Sequence, residues 1–342
     1  MLIDWVSLKF PLHSFSRDQV HQLRSITDRI VRFCPKTGDV KYETCAWDSI
    51  RSDSHQVSFQ VGSTHLKIQG SPARVFGDGD AVFGSGSSSE LDISGCVLAM
   101  AKHASSILNV LLPTDLSNYS VTRIDVTSNL LLDSLSEVRS ALTILRGCEG
   151  GRYRVSQQAG DTVYWSHSSA LRSGKAYAKG PHLHYLTKKL RNYTGRIYSE
   201  DEINLSNRLL RLELKLGNEF FRRNDWKLLK AKDIKNQWDN YFMRMIGNSE
   251  ITKDNDIKTR IFEVAPTEGQ ARSAYGCWSI IGNEGWERAK EMYTKPTWYR
   301  HLKIIRNAGL SDADISAGKI VPLRAKIIEA RHVLSWEELR TA

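Results

Sequence analysis

The sequence has few cysteines, no long apolar run and none of the usual nucleotide-binding loops, and each absence removes a class of protein. Its five cysteines among 342 residues are odd in number, widely spread and never spaced C-x-x-C, which argues against a disulfide framework or a zinc site. Such usage is typical of a reducing cytoplasm. No run approaches the roughly 20 apolar residues of a membrane-spanning helix, and the N-terminus lacks the basic segment of a signal peptide. We therefore expect an intracellular protein with no membrane partner.

A stretch rich in Gly, Ser and Asp spans residues 70–95. No Gly-Lys-Ser/Thr follows it and it contains no dinucleotide fingerprint, so it matches neither common nucleotide-binding loop. A surface loop is the simplest interpretation. A glycine-rich loop beside cations can also approach a phosphate backbone closely, and this makes Arg74 a candidate DNA-binding residue.

The charge is strongly biased toward cations. Lys and Arg number 48 against 38 Asp and Glu, which gives a formal net charge of +10, and hydrophobic residues make up 41% of the chain. That composition supports a sizeable core and favours a polyanionic partner, either nucleic acid or an anionic membrane surface. A basic protein without such a partner is the alternative.

One short segment, residues 175–179, alternates in a way that suggests chemistry. As a β-strand it places Lys175, Tyr177 and Lys179 on one face and two alanines on the other. A tyrosine can attack a phosphodiester, and flanking lysines would favour the phenolate and hold the phosphate. An exposed edge-strand tyrosine between two solvated lysines is the alternative interpretation.

Two other segments, residues 122–127 and 210–216, alternate in the same way and predict half-buried antiparallel strands. Their polar faces carry Arg123, Asp125, Thr127, Arg211, Glu213 and Lys215. If the three strands share one sheet, Asp125 and Glu213 form an oxygen site suited to Mg²⁺ or Mn²⁺. Tyrosine, carboxylates, metal and a basic rim together indicate phosphoryl transfer on nucleic acid. Surface ion-pair ladders are the alternative for both strands.

The order of elements predicts an α+β fold, a largely antiparallel sheet with helices packed on one face, followed by a smaller all-helical C-terminal domain. A capping box at Ser16 and Gln19 predicts a helix that continues through Ile30 to near Pro35. A polar stretch near residue 248 predicts the boundary, with a catalytic domain over residues 1–248 and a helical domain over 249–342.

Two basic regions are further candidates for DNA contact. Lys188 and Lys189 follow the start of a helical patch at residues 181–192. Arg300 and Lys303 lie on a predicted helix that starts at Pro296, and a second short helix at residues 311–317 would complete a helix-turn-helix. Helical hairpins of this size are also common in proteins that never touch DNA.

Several segments in a fixed order carry a family resemblance. They are residues 3–8 (Ile-Asp-Trp-Val-Ser-Leu), the Ser-Pro-Ala-Arg-Val segment from residue 71, residues 122–125 (Thr-Arg-Ile-Asp), residues 176–179 (Ala-Tyr-Ala-Lys), residues 210–213 (Leu-Arg-Leu-Glu) and residues 298–300 (Trp-Tyr-Arg). Through them the chain resembles the replication initiators of filamentous bacteriophages (inoviruses), the gene II/gene X proteins. The Arg-Ile-Asp, Tyr-x-Lys and Arg-Leu-Glu set is also similar to the Rep-trans initiators of rolling-circle plasmids.

The resemblance implies a rolling-circle initiator that nicks one strand at an origin and later rejoins it. It implies supercoiled double-stranded phage DNA and the single-stranded plus strand as substrates, host helicase and polymerase as partners, self-assembly on DNA, and the host bacterial cytoplasm as location. Tyr177 would take the 5′-phosphate, and Asp125 and Glu213 would hold Mg²⁺ or Mn²⁺. The cations Lys179, Arg123 and Arg211 would steady the phosphate or the carboxylates. Asn129 stands where the plasmid pattern has a second acid.

Three alternatives stay open at the sequence level. His182 and His184 could share a metal in a histidine-metal nickase, although Pro181 and the helical context would make them diverge. The chain could instead be a non-catalytic, origin-binding regulator. Other tyrosines are alternative nucleophiles, namely Tyr164, Tyr185, Tyr193 and Tyr198.

Overall fold

The structure is a computed structural model that describes residues 1–45, 57–76, 79–84, 91–146, 155, 160–189, 195–246, 254–310, 315, 327 and 330–342. Among these residues, no helix combines the length and apolar character needed to cross a bilayer.

A mostly antiparallel sheet forms the centre of the fold. Its strands are β1 (Leu2–Pro11), β4 (Ser58–Val61), β5 (His65–Gly70), β6 (Ser120–Leu131), β7 (Thr162–Trp165), β8 (Arg172–Ala178), β9 (Leu209–Leu216) and β10 (His332–Val333). Their order is β4-β5-β1-β6-β9-β8-β7, and β10 pairs with β6. A separate two-stranded ribbon consists of β2 (Arg29–Phe33) and β3 (Val40–Cys45).

One face of the sheet is apolar and covered by helices. The helices on this side are α1 (Arg17–Ser25), α3 (Ile93–Leu108), α4 (Leu135–Arg146), α7 (Asn218–Arg223) and α8 (Ala231–Ile246). The leucines of β9 at 210, 212, 214 and 216 point into this core because alternate strand residues share a face. The α+β class, with an antiparallel sheet and helices against it, is therefore confirmed.

A second, smaller cluster covers one end of the opposite, polar face. It involves α5 (Lys179–His184), α6 (Glu200–Ser206), α13 (Trp336–Arg340) and a loop at residues 80–83, referred to below as the 80–83 loop. The short helix α2 (Pro72–Phe76) instead packs against α3 and β1. The apolar side chains of the smaller cluster are Val82, Phe83, Leu183, Tyr198, Leu209, Val333, Trp336 and Leu339. Helices therefore also cover part of the face that the sequence predicted to be open.

The helices α9 (Asp254–Val264), α10 (Glu268–Glu284), α11 (Trp286–Glu291) and α12 (Lys295–Asn307) have their own hydrophobic core, which includes Trp278, Trp298, Leu302 and Ile305. Pro296 lies in the first turn of α12, as predicted. The predicted second helix at residues 311–317 falls outside the described residues except for Ile315.

The end of the chain returns to the sheet. His332 and Val333 pair with Leu130 and Asn129 of β6, and Trp336 and Leu339 are buried in the smaller cluster. This position differs from the predicted assignment of all residues of 249–342 to a helical domain. The segment returns because its apolar residues, Val333, Trp336 and Leu339, become buried when they pack in the smaller cluster against the sheet.

The predicted helix from Ser16 to Ile30 is too long. The capping box of Ser16 and Gln19 forms, but α1 ends at Ser25, and Arg29–Phe33 is a strand instead. The β-branched and aromatic residues of the segment Arg-Ile-Val-Arg-Phe favour strand over helix. Hydrophobic spacing alone did not separate the two structures.

Candidate active site

The three strands that carry the predicted site residues are neighbours in the sheet, in the order β6, β9, β8. Across β8 and β9, Lys175 pairs with Glu213 and Tyr177 pairs with Arg211. Across β9 and β6, Glu213 pairs with Thr127. Because partners in register point to the same side, these side chains share the polar face.

Tyr177 donates its hydroxyl hydrogen to Glu213, with 2.7 Å between Oη and Oε1. The other oxygen of Glu213 lies 3.5 Å from Nζ of Lys175. Lys175 Nζ also lies 4.0 Å from the centre of the Tyr177 ring, and Lys179 Nζ lies 5.7 Å from it. The tyrosine, both lysines and one carboxylate therefore form a single cluster.

The predicted effect of the lysines on the phenol is wrong. Tyr177 is only 3% exposed, and burial together with the Glu213 carboxylate raises its pKa well above the ordinary value. Lys179 is buried as well, and burial and then Arg211 lower its pKa well below the usual lysine range. A buried phenol on a carboxylate is protonated at rest, so reaction requires that its proton be removed. The position of β8 between β9 and β7 also removes the edge-strand interpretation.

Asp125 lies on β6, the strand next to β9, and is held by Arg123. The guanidinium donates from Nε and Nη2 to the two carboxylate oxygens at 2.8 and 2.5 Å. Burial raises the pKa of Asp125 although Arg123 opposes the shift, and Glu213 and Asp4 add to the increase. The last two effects show that three carboxylates interact electrostatically across this face.

The predicted metal pair has suitable donors, but other side chains already bind both carboxylates. Asp125 and Glu213 offer the hard oxygens that Mg²⁺ or Mn²⁺ prefers. Asp125, however, is bound by Arg123, and Glu213 by Tyr177 and Lys175. Within the described part of the chain, no group of three or more His, Cys, Asp or Glu residues is placed to hold a metal ion.

Sequence reasoning missed Asp4. A β-bulge between Ile3 and Trp5 makes Asp4 the extra residue of β1 relative to β6. Its carboxylate lies 3.9 Å from Arg211. Burial opposes its ionisation, but Arg211 and then Lys179 hold its pKa below the ordinary value. The sequence did contain a signal for Asp4. In a regular strand Asp4 would point inward with Val6, and a carboxylate is not expected at an inward position.

Arg211 is buried and bound to protein oxygens rather than open to a substrate. It donates to the carbonyls of Ala81 and Val82 at 2.7 and 3.2 Å and to Thr127 Oγ1 at 3.2 Å. Asn129 donates to the carbonyl of Val82 at 3.1 Å. Both residues therefore fix the 80–83 loop over the sheet. A carboxylate at position 129 would repel this carbonyl.

Asp80 holds the loop from the other side. Its carboxylate accepts hydrogen bonds from the amides of Val82 and Phe83, from Tyr198 Oη at 3.1 Å and from Trp336 Nε1 at 2.9 Å. The 80–83 loop, which forms one wall of the site, thus depends on residues of α13, the last described helix. Tyr198 is occupied in this network, which makes it a poor alternative nucleophile.

The two histidines do not form a metal site. Both lie on α5, where residues two apart point in different directions. His184 is exposed, whereas the His182 ring contacts the Tyr177 ring edge to face with 5.0 Å between centroids. Burial, and then Lys179 and Lys175, lower the pKa of His182 to about 2. His182 therefore packs on Tyr177 as a neutral ring.

The predicted DNA-binding residues fall into separate places. Arg74 of α2 lies close enough to affect Asp4, Lys179 and His182 electrostatically, so it belongs to the candidate site. Arg300 and Lys303 are exposed on α12. Lys188 and Lys189 lie in a helical turn, Tyr185–Lys189, and the orientation of their side chains is outside what the structure describes.

The other tyrosines are less suitably placed than Tyr177. Tyr164 lies across from Lys175 on β7, with its ring against His167. Tyr185 is exposed at the end of α5. Tyr193 lies outside the described residues. Tyr177, by contrast, donates its hydroxyl hydrogen to the Glu213 carboxylate of β9.

Comparison with known proteins gives three similarities. The sequence pattern of a family described as the N-terminal part of the phage replication-associated protein, the gene II product, matches residues 2–240. The replication-associated protein of the same name from Enterobacteria phage I2-2 is 25% identical over 358 residues, covering 96% of this chain and 94% of that protein. The rolling circle replication initiator protein from Geobacillus stearothermophilus aligns at 12% identity with a TM-score of 0.33, covering 74% of this chain and 88% of that one.

Proposed function

The chain belongs to the gene II replication-associated protein family of rolling-circle initiators, and from this premise we propose that it nicks and rejoins one strand of phage DNA through Tyr177. The contact between Tyr177 and Glu213 supports this role most directly, since it places a proton acceptor 2.7 Å from the attacking oxygen. The resemblance noted in the sequence is confirmed at the family level.

In the proposed reaction, the Tyr177 oxygen attacks phosphorus as its proton passes to Glu213. A P–O bond forms to the tyrosine, the P–O3′ bond breaks, and the leaving 3′-oxygen takes a proton from solvent water to become a free hydroxyl. The 5′-phosphate remains on Tyr177 as a phosphotyrosine. The reverse attack by a 3′-hydroxyl rejoins the strand without ATP because the phosphotyrosine stores the cleaved bond.

Cations around the tyrosine would stabilise the charge of the phosphate. Lys175 lies over the ring, and Lys179 and Arg74 approach from the covered end of the face. The positive charge of Lys175 and Arg74 opposes the negative charge that develops on the nonbridging oxygens during attack. Burial lowers the pKa of Lys179, and an arriving anionic phosphate would favour its charged form. Arg123 and Arg211 act on carboxylates and on the 80–83 loop, so we assign them positioning roles.

We include Mg²⁺ or Mn²⁺ in the proposal, with Asp125 and Glu213 as the residues that would hold it. When bound, such an ion would polarise the scissile phosphate. For Asp125 to serve, Arg123 must release it, and an anionic DNA backbone provides an alternative partner for that guanidinium. Loss of nicking in excess chelator, restored by added Mg²⁺ or Mn²⁺, would support this part of the proposal.

The decisive experiment uses a Tyr177→Phe variant. Supercoiled DNA carrying the phage origin is incubated with protein and Mg²⁺, and the DNA-linked peptide is identified by mass spectrometry. We expect wild type to give nicked circles and an adduct on Tyr177, and Tyr177→Phe to give neither while still binding DNA. Tyr164→Phe, on the same face, is the matched control and should retain adduct formation. An adduct on another tyrosine would reject the assignment.

A non-catalytic regulator of the origin is the second candidate function, since the basic charge and the exposed cations of α12 suffice for DNA binding. Binding by wild type without any Tyr177-dependent nick would favour it. Under the first function, we expect host helicase and polymerase to act on the nicked product in the host bacterial cytoplasm, with the initiator assembling as several copies on DNA.

A further inference from the structure

The β2–β3 ribbon exposes an unusual amount of apolar surface. Its side chains do not belong to the hydrophobic clusters of the described structure, and it forms a sheet by itself. The exposed apolar residues on it are Ile30, Val31, Phe33, Val40 and Tyr42, with Phe33 60% and Val40 63% exposed. A two-stranded ribbon is marginal alone in water, and a concentrated exposed apolar patch marks a binding surface.

Cations are interleaved with this apolar surface. Residues 29–45 carry four cations and two carboxylates. Arg29 is paired with Glu43 at 2.6 Å. Arg32 stands directly opposite Tyr42, and a register shift makes Lys41 an extra residue beside the pair Phe33 and Val40. The ribbon thus presents positive charge along its length and apolar side chains on both faces.

The tip of the ribbon is a closed turn. The amide of Cys34 donates to the carbonyl of Asp39, and the amide of Gly38 donates to the carbonyl of Cys34, both at 2.8 Å. Gly38 has a φ of +76°, in the region that favours glycine. Phe33 and Val40 lie where the strands enter this turn. A turn fixed by its own hydrogen bonds keeps them exposed at a defined place.

We propose that the β2–β3 ribbon is a duplex-DNA-binding arm. The major groove admits a two-stranded ribbon, in which cations reach phosphates on both sides and apolar side chains meet base edges and thymine methyls. In this arrangement Arg32 and Lys41 contact phosphates and Phe33 contacts the bases. The proposal rests on the proposed function for its choice of polyanion. It adds to that function a site that binds duplex DNA and is separate from the Tyr177 cluster.

Charge complementarity distinguishes DNA from a second copy of the chain as occupant. Two copies of a ribbon with an excess of cations repel each other at an interface, whereas a polyanion neutralises that excess. The exposed arginine and lysine also separate the apolar side chains, which therefore do not form a continuous apolar surface. A protein partner would need an acidic face. The DNA-binding test below distinguishes such a partner from duplex DNA.

The test measures binding of a 30-base-pair duplex by fluorescence anisotropy over a range of salt concentrations. Arg32→Ala and Lys41→Ala should each reduce the slope of log K against log salt by about 0.9, and the double variant by about twice that amount. Arg272→Ala removes one exposed cation of α10 and is the matched control, with an unchanged slope. An unchanged slope in the double variant overturns the proposal.

The apolar contribution is tested with Phe33→Ser and Val40→Ser. Each should weaken duplex binding by about tenfold with an unaltered salt slope, because an apolar contact releases no counterions. Leu111→Ser, a change at a residue that is 81% exposed, is the matched control. Light scattering on wild type and Phe33→Ser examines the alternative occupant. A wild-type dimer that this variant dissociates, with duplex affinity retained, rejects the DNA assignment.

Nicking of a single-stranded origin oligonucleotide separates this proposal from the proposed function. The ribbon variants should nick it at the wild-type rate, since the Tyr177 cluster is unchanged in them. Absence of Tyr177-dependent nicking in every protein, with duplex binding still sensitive to Arg32 and Lys41, would reject the catalytic proposal and retain the arm. Slower nicking of the single strand by Phe33→Ser would instead reject the separation of the two sites.

Discussion

At the scale of single residues, the hydrogen bond from Tyr177 to Glu213 determines how the site can react. The carboxylate and burial both keep the phenol protonated, so the resting protein does not carry a free nucleophile. In the proposed reaction, the same carboxylate accepts this proton when a phosphate arrives. One pair therefore restrains the tyrosine and prepares it for reaction.

Glu213→Gln tests this dual role. Glutamine preserves the shape but cannot take up a proton, so we expect formation of the covalent adduct to slow by about 10²-fold or more. The affinity for origin DNA should change by no more than a few fold. Single-turnover adduct formation and equilibrium binding measure the two effects, and Glu219→Gln on α7 is the control. A normal rate of adduct formation would show that another group accepts the proton.

His182 makes the stability of this region sensitive to acid. Its pKa of about 2 in the folded protein lies far below the value of about 6.5 in an unfolded chain, so the unfolded state binds the proton more tightly. The stabilisation is present above pH 6.5 and is lost as the pH falls toward 2, at up to about 1.4 kcal/mol per pH unit.

The variant His182→Phe should therefore reduce the acid sensitivity. Phenylalanine keeps a ring against Tyr177 and removes the group that must stay neutral. Urea unfolding at pH 7 and pH 4.5 should show a smaller loss of unfolding free energy in the variant than in wild type. His184→Phe, on the exposed side of α5, should behave like wild type. Equal losses in all three proteins would mean that other groups dominate the acid response.

At the scale of elements, the 80–83 loop connects the end of the chain to the site. Arg211 and Asn129 hold its carbonyls, and Asp80 holds its amides. Trp336 of α13 donates to Asp80 and contacts Phe83 edge to face at 5.1 Å. The wall of the site is consequently only as ordered as the packing of α13.

Trp336→Ala should loosen this wall. Removing a buried tryptophan costs about 3 to 5 kcal/mol, and Asp80 loses one donor. Hydrogen exchange of the amides of residues 81–83 should accelerate, while exchange in β1 and β5 stays slow. Leu334→Ala, at a half-exposed neighbouring position, is the control. Unchanged protection of the loop would show that Tyr198 and the amides alone suffice to hold Asp80.

The elements also show what the sequence could and could not predict. Strict alternation identified β6, β8 and β9, because each has one apolar and one polar face. Alternation fails where the backbone is irregular, and so the bulge at Asp4 concealed a third carboxylate. The protonation of Tyr177 was mispredicted because burial depends on α5 and the 80–83 loop, which come from distant parts of the chain. The β2 strand was missed because all five of its residues are exposed, so burial does not alternate along it.

At the scale of the whole molecule, the described structure has separate apolar cores for the sheet and for helices α9–α12. The proposed boundary near residue 248 lies between them. Two cores without shared buried residues are expected to unfold as separate units. The return of His332–Val333 to β6 means that the helical unit is inserted between parts of the sheet unit.

We expect Leu302→Ala to show that the two cores unfold independently. The residue is fully buried in the helical core, and its truncation should cost about 2 to 5 kcal/mol. Differential scanning calorimetry should show one transition shifted to lower temperature and another unchanged. Leu214→Ala, in the core of the sheet, should shift the other transition. Two variants that move a single common transition would show that the chain unfolds cooperatively.

The return of the chain end to β6 has a consequence for biosynthesis. A ribosome makes Tyr177 and Glu213 long before it makes the segment from His332 to Arg340, which braces the wall beside them. If Tyr177 is the nucleophile, as proposed, a nascent chain carries it in a site whose wall is not yet braced, and we expect nicking to begin only after this segment has been made. Messages broken before codon 330 would yield polypeptides that retain Tyr177 but lack the brace.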